Sequence, residues 1–325
     1  MNHPTYEDVI TARENIAPYL LRTPFREYPA LSEIIGARIF VKHENHQPTC
    51  AFKVRGGINL VSQLSEDERV AGVAAASTGN HGQSVAFAAQ LFDVKARIVV
   101  PEGANPGKVE AMRSQGAEVI FHGERFDDAR LYCEELARRE GLRYVHSGNE
   151  PLLIAGVGTA TVEMLEDQPD LEVIIVPVGG GSGAAAAGLV ARSLNPDIKV
   201  VAVQSAQADA AYQSWKQRKL LERRNTTIAE GLATGTAFEL PQEMMWEYLS
   251  DFVVVSDEQI LTAMAWVIEK AHSLAEAAGA APLAAAFQLR EELKGKNVGL
   301  ICSGGNATPA EVQRAFKSAG LSLRS

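Results

Sequence analysis

Short runs of apolar residues alternate with amphipathic or alanine-rich segments along nearly the whole chain. Runs with the length and the valine and isoleucine content of buried strands lie at 38–44, 72–77, 96–101, 117–122, 172–178, 198–204, 251–256 and 297–303. Segments of helical character lie at 80–92, 105–114, 127–140, 183–194, 257–271 and 281–293. Continuous apolar strands separated by helices are typical of parallel sheets covered on both faces, so the pattern predicts a doubly wound α/β fold.

The length of the chain indicates more than one domain. A single hydrophobic core rarely extends beyond about 250–300 residues, and this chain has 325. The composition changes near HSGNEP at 146–151, which we interpret as a crossing point between two sheets. We therefore expect two doubly wound domains with mostly parallel sheets.

Charge and composition argue against several functional classes. A net charge of -9 without a basic cluster disfavours nucleic acid or an anionic membrane as partner. No apolar run approaches the length of a membrane span, and the first residues lack the apolar core of a signal peptide. Cys50, Cys133 and Cys302 are scattered and form no CxxC pair. This usage indicates a cytoplasmic protein with neither a disulfide framework nor a zinc site.

One predicted strand end is rich in glycine. The strand 172–178 is followed by a short loop and a helix of small residues, and the loop consists of Gly179, Gly180, Gly181, Ser182 and Gly183. Free N–H groups at the start of a helix could hold a phosphate, although a flexible turn is the alternative. The next strand ends in Gln204 instead of the acid of a dinucleotide site, and no Walker lysine follows the glycines. A lone phosphate fits better than a dinucleotide or a nucleoside triphosphate, and a nicotinamide oxidoreductase is a remote alternative.

Two further strand ends carry polar loops. STGNHG at 77–82 offers hydroxyls, an amide and N–H groups at a helix start, where a carboxylate could bind. Serine, threonine and asparagine are also common helix caps, so that interpretation stays open. CSGGN at 302–306 has two glycines that either let the backbone approach a ligand or form a tight turn.

Lys53 lies between Phe52 and Val54 in AFKVRGG. Such a lysine is either a side chain that lies along apolar surface with its amine in water, or an amine kept from water. Burial favours the neutral amine, which is the form that condenses with an aldehyde. The surrounding residues alone leave both interpretations open.

Four motifs together resemble a known family. AFKVRGG, STGNHG, VGGGSG and CSGGN, in this order and spacing, are similar to those of the fold-type II pyridoxal-phosphate enzymes, in particular the serine/threonine dehydratase and serine racemase branch. The resemblance extends over essentially the full chain. It implies a tryptophan synthase β-like architecture, with a large cofactor-phosphate-binding domain of residues 1–50 and 151–325 and a small mobile domain of residues 51–150. It also implies pyridoxal 5'-phosphate as cofactor, a small-molecule amino acid as substrate and a homodimer.

The resemblance implies a role for individual residues. Lys53 is the Schiff-base lysine and the base that takes the Cα proton. The cofactor phosphate is held by Gly179, Gly180, Gly181, Ser182 and Gly183. Asn80 binds the phenolic oxygen and Ser303 faces the pyridine nitrogen, while Phe52 and Gly231 lie beside the ring. The substrate carboxylate is bound by Ser77, Thr78, Gly79 and His81, of which Ser77 and Thr78 are also counted as catalytic.

The implied activity is that of a dehydratase, or ammonia-lyase, acting on β-hydroxy-α-amino acids of the L-threonine and L-serine type and giving a 2-keto acid and ammonia. Serine racemase and β-replacement synthase are alternatives, and a non-catalytic protein that binds the cofactor is a remote one. Racemising relatives have serine where this chain has Thr78, which favours dehydration.

Several positions depart from the family pattern. Cys50 and Ala51 stand where relatives have glycine and serine, and Gly148 stands where racemase-like members carry a side chain. The latter indicates room for a bulkier substrate such as phenylserine or hydroxyaspartate. Gln204 and Ala210 replace the acids of cation-binding relatives, so we expect no metal site.

Overall fold

The computed structural model describes residues 2–321 and divides them into two compact units. The first unit contains Leu21–Phe52 and the chain from Gly158 onward, and the second contains Asn2–Leu20 and Lys53–Val157. The strands are β1 (Phe25–Glu27), β2 (Arg38–His43), β3 (Val73–Ala76), β4 (Ala96–Val100), β5 (Glu118–Phe121), β6 (Arg143–Tyr144), β7 (Val173–Pro177), β8 (Lys199–Ser205), β9 (Asp251–Val255) and β10 (Asn297–Cys302).

The helices in the first half of the chain are α1 (Tyr6–Ile16), α2 (Pro29–Ile35), α3 (Lys53–Ser62), α4 (Glu66–Ala71), α5 (Asn80–Leu91), α6 (Pro106–Ser114), α7 (Phe126–Glu140) and α8 (Pro151–Asp167). Those that follow are α9 (Ser182–Leu194), α10 (Ala210–Gln217), α11 (Glu239–Tyr248), α12 (Asp257–Ala271), α13 (Ala277–Gln288), α14 (Arg290–Leu293) and α15 (Pro309–Ser318). Within residues 2–321, no helix combines the length and the apolar character needed to span a bilayer.

The first unit is built on a sheet of order β1-β2-β10-β7-β8-β9. All its neighbouring strands are parallel except β1, which pairs with β2 in the antiparallel sense. The core joins sheet residues such as Val41 and Ile175 to alanines of α13, which is buried over most of its length. Small side chains let this helix lie close against the sheet, and the parallel register brings the ends of β7 and β10 to the same edge.

The second unit has a fully parallel sheet of order β5-β4-β3-β6. Its central strand β3 is short and buried at every position, as expected for a strand covered on both faces. On one side Ala74 and Val99 pack against Ala129 and Cys133 of α7. This arrangement leaves the loop after β3 at the carboxyl edge of the sheet, where α5 begins.

Close helix contacts in the second unit depend on glycine. A Cβ atom on Gly56 would lie 2.8 Å from the carbonyl oxygen of Leu153, and one on Gly57 would lie 2.3 Å from Ser84 Oγ. Gly156 is equally restricted, because its Cβ would lie 2.7 Å from the carbonyl oxygen of Arg55. Helix α3 therefore approaches α5 and the first turns of α8 at distances that side chains would prevent.

The α/β fold with parallel sheets is confirmed. Each of the predicted strands is present, with ends within one residue of the predicted ones. The prediction omitted β1 and β6, since three- and two-residue strands carry too little apolar pattern to be recognised. The predicted helix at 281–293 was wrong in its bounds, because α13 begins earlier and the chain turns at Leu289 before α14.

We expect Gly57→Ala to destabilise the protein. Alanine is about 1 kcal/mol better than glycine in a helix, but the new Cβ would also lie 2.7 Å from the main-chain oxygen of Ser84. Overpacking of this kind costs about 1–3 kcal/mol, so the clash should outweigh the gain in helix propensity. Urea unfolding should then show a lower free energy of unfolding for Gly57→Ala than for the wild type. Gly103→Ala is the control, since no atom lies within 4 Å of its Cβ position. Equal stability of the two variants would contradict this account.

Candidate active site

The glycine loop after β7 has no room for side chains. A Cβ on Gly179 would lie 2.3 Å from the carbonyl oxygen of Gly231, and one on Gly180 would lie 2.5 Å from the Phe238 ring. Gly181 has a left-handed backbone with φ of 91° and is the N-cap of α9. The loop therefore needs glycine for packing at two positions and for backbone conformation at the third.

These residues fit a phosphate group. The loop leads directly into α9, a helix of 13 residues whose first N–H groups have no partner within the helix. The helix dipole places partial positive charge at this end, and the bare backbone lets an anion approach closely. No acidic side chain lies among residues 179–183 to repel it. Of the two interpretations of the sequence, the geometry favours the anion site over a flexible turn.

Other predicted cofactor residues lie beside this loop in the first unit. The Phe52 ring is 3.3 Å from the position of a Cβ on Gly183, and Gly231 adjoins Gly179 as described. The Phe52 N–H donates to the carbonyl oxygen of Ser303 at 2.9 Å, which ties the residue to the end of β10. The structure thus brings Phe52, Gly231 and Ser303 together with the glycine loop.

Cys50 occupies an unusual backbone conformation. Its φ is 52°, in the left-handed region, which costs a non-glycine residue roughly 1–2 kcal/mol. Its N–H donates to Gln47 O at 2.7 Å, and its own carbonyl accepts from Gly305 N at 2.8 Å. Hydrogen bonds to its N–H and to its carbonyl oxygen therefore hold Cys50 in a conformation that glycine would adopt at lower cost.

Lys53 is the first residue of α3. Hydrogen bonds hold both its side-chain amine and its main-chain oxygen. Its Nζ donates to the carbonyl oxygen of Ser147 at 2.8 Å, and its main-chain oxygen accepts from Ser84 Oγ at 2.6 Å. Burial lowers the pKa of Lys53 from 10.5 to about 8. The alternative of an amine extended into water is not what the structure shows, and the neutral amine becomes accessible near physiological pH.

The STGNHG loop combines capping with open positions. Ser77 Oγ accepts the N–H groups of Gly79 and Gly82, at 3.2 and 2.9 Å, so the capping interpretation holds for this side chain. Its hydroxyl keeps its own proton for donation to a ligand. Thr78, Gly79 and Asn80 are half-buried at the start of α5. The loop therefore retains groups that can bind a carboxylate.

His81 is buried and its ring is oriented by the protein. Nε2 donates to the carbonyl oxygen of Val145 at 3.0 Å, while Nδ1 is buried and has no hydrogen-bond partner among residues 2–321. Burial, with Lys53 nearby, lowers the pKa of His81 to about 3, so the ring is neutral. A contact between His81 and the substrate carboxylate stays a prediction, for which a neutral ring supplies no charge.

Sequence reasoning missed three contributors to this region. Ser147 acts through its carbonyl oxygen, which every residue type possesses, so nothing in its identity indicates the role. Lys108 brings its Nζ to 4.0 Å from the position of a Cβ on Gly79, and thus adds a cation beside the STGNHG loop. His146 precedes Ser147 and accepts two main-chain hydrogen bonds. Asparagine in such a place would have signalled a turn, whereas histidine did not.

A family model described as "Pyridoxal-phosphate dependent enzyme" matches residues 16–304. The chain belongs to this family. Its cofactor is therefore pyridoxal phosphate, in agreement with the glycine loop at the start of α9 and the lowered pKa of Lys53.

This pyridoxal-phosphate-dependent enzyme has relatives with several names. It is 39% identical over 303 residues to the L-threonine ammonia-lyase of Thermotoga maritima, covering 93% of this chain and 75% of that protein. It is 37% identical over 321 residues to the catabolic L-threonine dehydratase TdcB of Staphylococcus aureus, covering 97% and 92%. Among solved structures, serine racemase from Dictyostelium discoideum superposes with a TM-score of 0.89 at 33% identity, covering 94% of this chain and 99% of that one.

We expect acid to destabilise this enzyme through its buried histidines. Burial is the main cause that lowers the pKa values of His43 and His146 to about 4 and that of His81 to about 3. The unfolded chain binds these protons from about pH 6.5 downward. Stability is thus fully present above pH 6.5 and falls as the pH drops towards 4, by about 1.4 kcal/mol per pH unit for each histidine.

Urea unfolding between pH 7 and pH 5 measures this slope. His43→Asn removes one titrating group from the first unit and should flatten the dependence. His272→Asn changes an exposed histidine in a left-handed position that asparagine tolerates, and serves as the control. A slope that is the same in all three proteins would rule out His43 as a source.

Proposed function

We propose that this enzyme is a dehydratase, or ammonia-lyase, of β-hydroxy-α-amino acids, and that Lys53 is its catalytic amine. The observation that carries the proposal is the state of this lysine: its amine is bonded to Ser147 O and its pKa is lowered to about 8 by burial. An amine in this state can both condense with an aldehyde and take a proton near neutral pH. Relatives named for action on L-threonine support the same reaction class.

The protein residues divide the work. Gly179, Gly180, Gly181, Ser182 and Gly183 would bind the cofactor phosphate, Asn80 would bind the phenolic oxygen, and Ser303 would face the pyridine nitrogen. Pyridoxal phosphate, when bound, supplies a ring that withdraws electrons from Cα of the substrate. Ser77, Thr78, Gly79 and His81 hold the substrate carboxylate. Phe52 and Gly231 fix the place of the ring, which is supported by their packing against the glycine loop.

Lys53 moves the decisive proton. The free amine takes the proton from Cα, and the electron pair of that bond forms a double bond to Cβ as the C–O bond breaks. The ammonium of Lys53 that results returns a proton to the departing hydroxyl, which leaves as water. The resulting enamine tautomerises to an imine as a proton moves from nitrogen to Cβ. Water then adds at Cα and ammonia leaves, which gives the 2-keto acid. Ser303 would face the pyridine nitrogen of the bound cofactor with a neutral hydroxyl, which, unlike a carboxylate, would not keep that nitrogen protonated. This would favour prompt loss of the β-hydroxyl of the substrate.

The substrate class includes L-threonine and L-serine and extends to bulkier β-substituents. Support for the extension comes from Gly148, which is buried and contributes no side chain. Ala51 is buried as well and lacks the hydroxyl of the serine that relatives have there, which leaves less polar surroundings. Phenylserine and hydroxyaspartate are therefore among the substrates to be tested.

Racemisation of serine is the second candidate. It is supported by the similarity to the serine racemase of Dictyostelium discoideum. Thr78 stands at the position of the second-face base and has a hydroxyl of similar acidity, but its added methyl restricts the rotamers available to it. We therefore rank racemisation, and likewise β-replacement by an added nucleophile, below dehydration.

Three further expectations belong to the same proposal. The partner is a small-molecule amino acid substrate, the assembly is a homodimer and the enzyme acts in the cytoplasm. The division into a large domain of residues 1–50 and 151–325 and a small mobile domain of 51–150 is proposed on the same grounds. Light scattering on the purified protein tests the dimer.

We expect Lys53→Ala to abolish turnover. Loss of both the linking amine and the general base should reduce ammonia release by about 10²–10⁴-fold or more. The absorbance of the bound cofactor at the edge of the visible range should shift towards that of the free aldehyde. Lys95→Ala removes an exposed lysine and should leave both measurements unchanged. Persistence of the original absorbance in Lys53→Ala would refute the assignment.

We expect ammonia and 2-keto acid from the wild-type protein with one or more 3-hydroxy amino acids. The panel consists of serine, threonine, 3-hydroxyaspartate and phenylserine diastereomers, with chiral analysis of the remaining serine. Thr78→Ser restores the residue of racemising relatives and should raise the proportion of D-serine relative to keto acid. Cofactor absorbance without turnover of any member would instead indicate a protein that binds the cofactor but is catalytically idle.

A further inference from the structure

The ring of His146 closes a short turn in the second unit. Nδ1 accepts the N–H of Gly148 at 3.0 Å and the N–H of Asn149 at 2.9 Å. Asparagine and aspartate close turns in the same way with a side-chain oxygen. An imidazole nitrogen that accepts two hydrogen bonds carries no proton, so the proton of His146 is on Nε2.

The same turn presents a main-chain oxygen to Lys53. Ser147 follows His146 and precedes the two residues whose N–H groups the His146 ring binds. The carbonyl oxygen of Ser147 accepts a hydrogen bond from Lys53 Nζ at 2.8 Å. A carbonyl has no rotamers of its own, because the local backbone conformation sets its direction. The conformation of residues 146–149 therefore determines where the acceptor for the amine lies.

Both ends of the turn are anchored independently of His146. Upstream, the Val145 N–H donates to Ala74 O at 2.8 Å, continuing the pairing of β6 with β3. Downstream, buried Glu150 is paired with Arg143 at 2.8 Å, and α8 begins at the next residue. Loss of the ring's two hydrogen bonds would thus loosen residues 146–149 without detaching the flanking elements.

We propose that His146 is a positioning residue, whose neutral ring fixes the Ser147 carbonyl and through it the place of the Lys53 amine. The inference rests on the proposed function only where it treats that amine as the catalytic one. The link from His146 to Ser147 and Lys53 stands on distances within one unit.

The surroundings keep the ring neutral. Burial is the largest influence on its pKa, which lies at about 4, and Lys53 and Arg130 lower it further while Glu134 of α7 raises it. Tyr144 contacts the ring edge-on with centroids 6.3 Å apart, and the pKa of His81 of α5 is lowered in part by His146. Protonation would put a hydrogen on Nδ1 facing two N–H donors, so the turn should open only in acid.

A matched pair of variants separates the role of the hydrogen-bond acceptor of His146 from that of its side-chain shape. His146→Asn supplies an oxygen that can accept the same two N–H groups and does not titrate, whereas His146→Leu has a similar branched shape without an acceptor. The first measurement is hydrogen exchange of the peptide containing residues 146–149 in the full-length protein. We expect exchange at least about tenfold faster in His146→Leu, because two hydrogen bonds are lost, and near wild-type exchange in His146→Asn.

The second measurement is the pKa of Lys53. In full-length protein freed of cofactor by dialysis against hydroxylamine, the rate of reductive methylation of Lys53 is followed against pH by mass spectrometry. The wild-type midpoint should be about 8. In His146→Leu the loosened turn admits water to the amine, so the midpoint should rise by a unit or more, which lowers the neutral fraction at pH 7 about tenfold. Lys95, exposed in every variant, is the internal reference.

The pH profile completes the test. Rapid exchange of residues 146–149 should begin near pH 4 in the wild type, after correction for intrinsic exchange, and this acid limb should be absent in His146→Asn. If His146→Asn and His146→Leu behave alike in both measurements, the acceptor has no role and the proposal is overturned. Borohydride trapping of cofactor on Lys53 is scored separately. Its failure in the wild type would refute the proposed function, whereas the role of His146 in placing the amine would still be decided by the exchange and methylation data.

Discussion

The chemistry proposed for this enzyme depends on an amine that is kept away from water and still has a partner. Lowering the pKa of Lys53 from 10.5 to about 8 corresponds to on the order of 3 kcal/mol of lost solvation for the ammonium form. The hydrogen bond to the Ser147 carbonyl gives the amine a partner in either protonation state. An acidic neighbour would have satisfied the amine better, but it would have held the proton there and removed the base.

The lysine is useful only if the backbone that carries it does not move. Glycines let α3 pack directly against the backbone of neighbouring helices. Ser84 Oγ also donates a hydrogen bond to the main-chain oxygen of Lys53. Sites mounted on packed helices are held more tightly than sites on loops. The groups predicted to contact the substrate, by contrast, lie in the loop after β3 and in the first turn of α5.

Sequence reasoning succeeded where the signal is a side-chain pattern. Apolar runs located the eight longer strands, because a buried strand restricts which residue types fit. The glycines after β7 restrict residue type in the same way, and their role as an anion loop stays a prediction. Sequence reasoning failed where the functional group belongs to the main chain or depends on the local backbone conformation. The carbonyl of Ser147 leaves no mark in the residue type, and the acceptor role of His146 depends on a tautomer and a turn that periodicity does not encode. Likewise, β1 owes its existence to pairing with β2 rather than to its own three residues.

The left-handed backbone at Cys50 has a consequence for how such enzymes are recognised. Main-chain partners at Gln47 and Gly305 impose the bend, so the residue there tolerates it rather than creating it. A sequence signature that requires glycine three residues before the lysine names the residue with the lowest backbone strain at that position. The fold itself does not require glycine there. A search that requires glycine at this position would miss family members with a small side chain there.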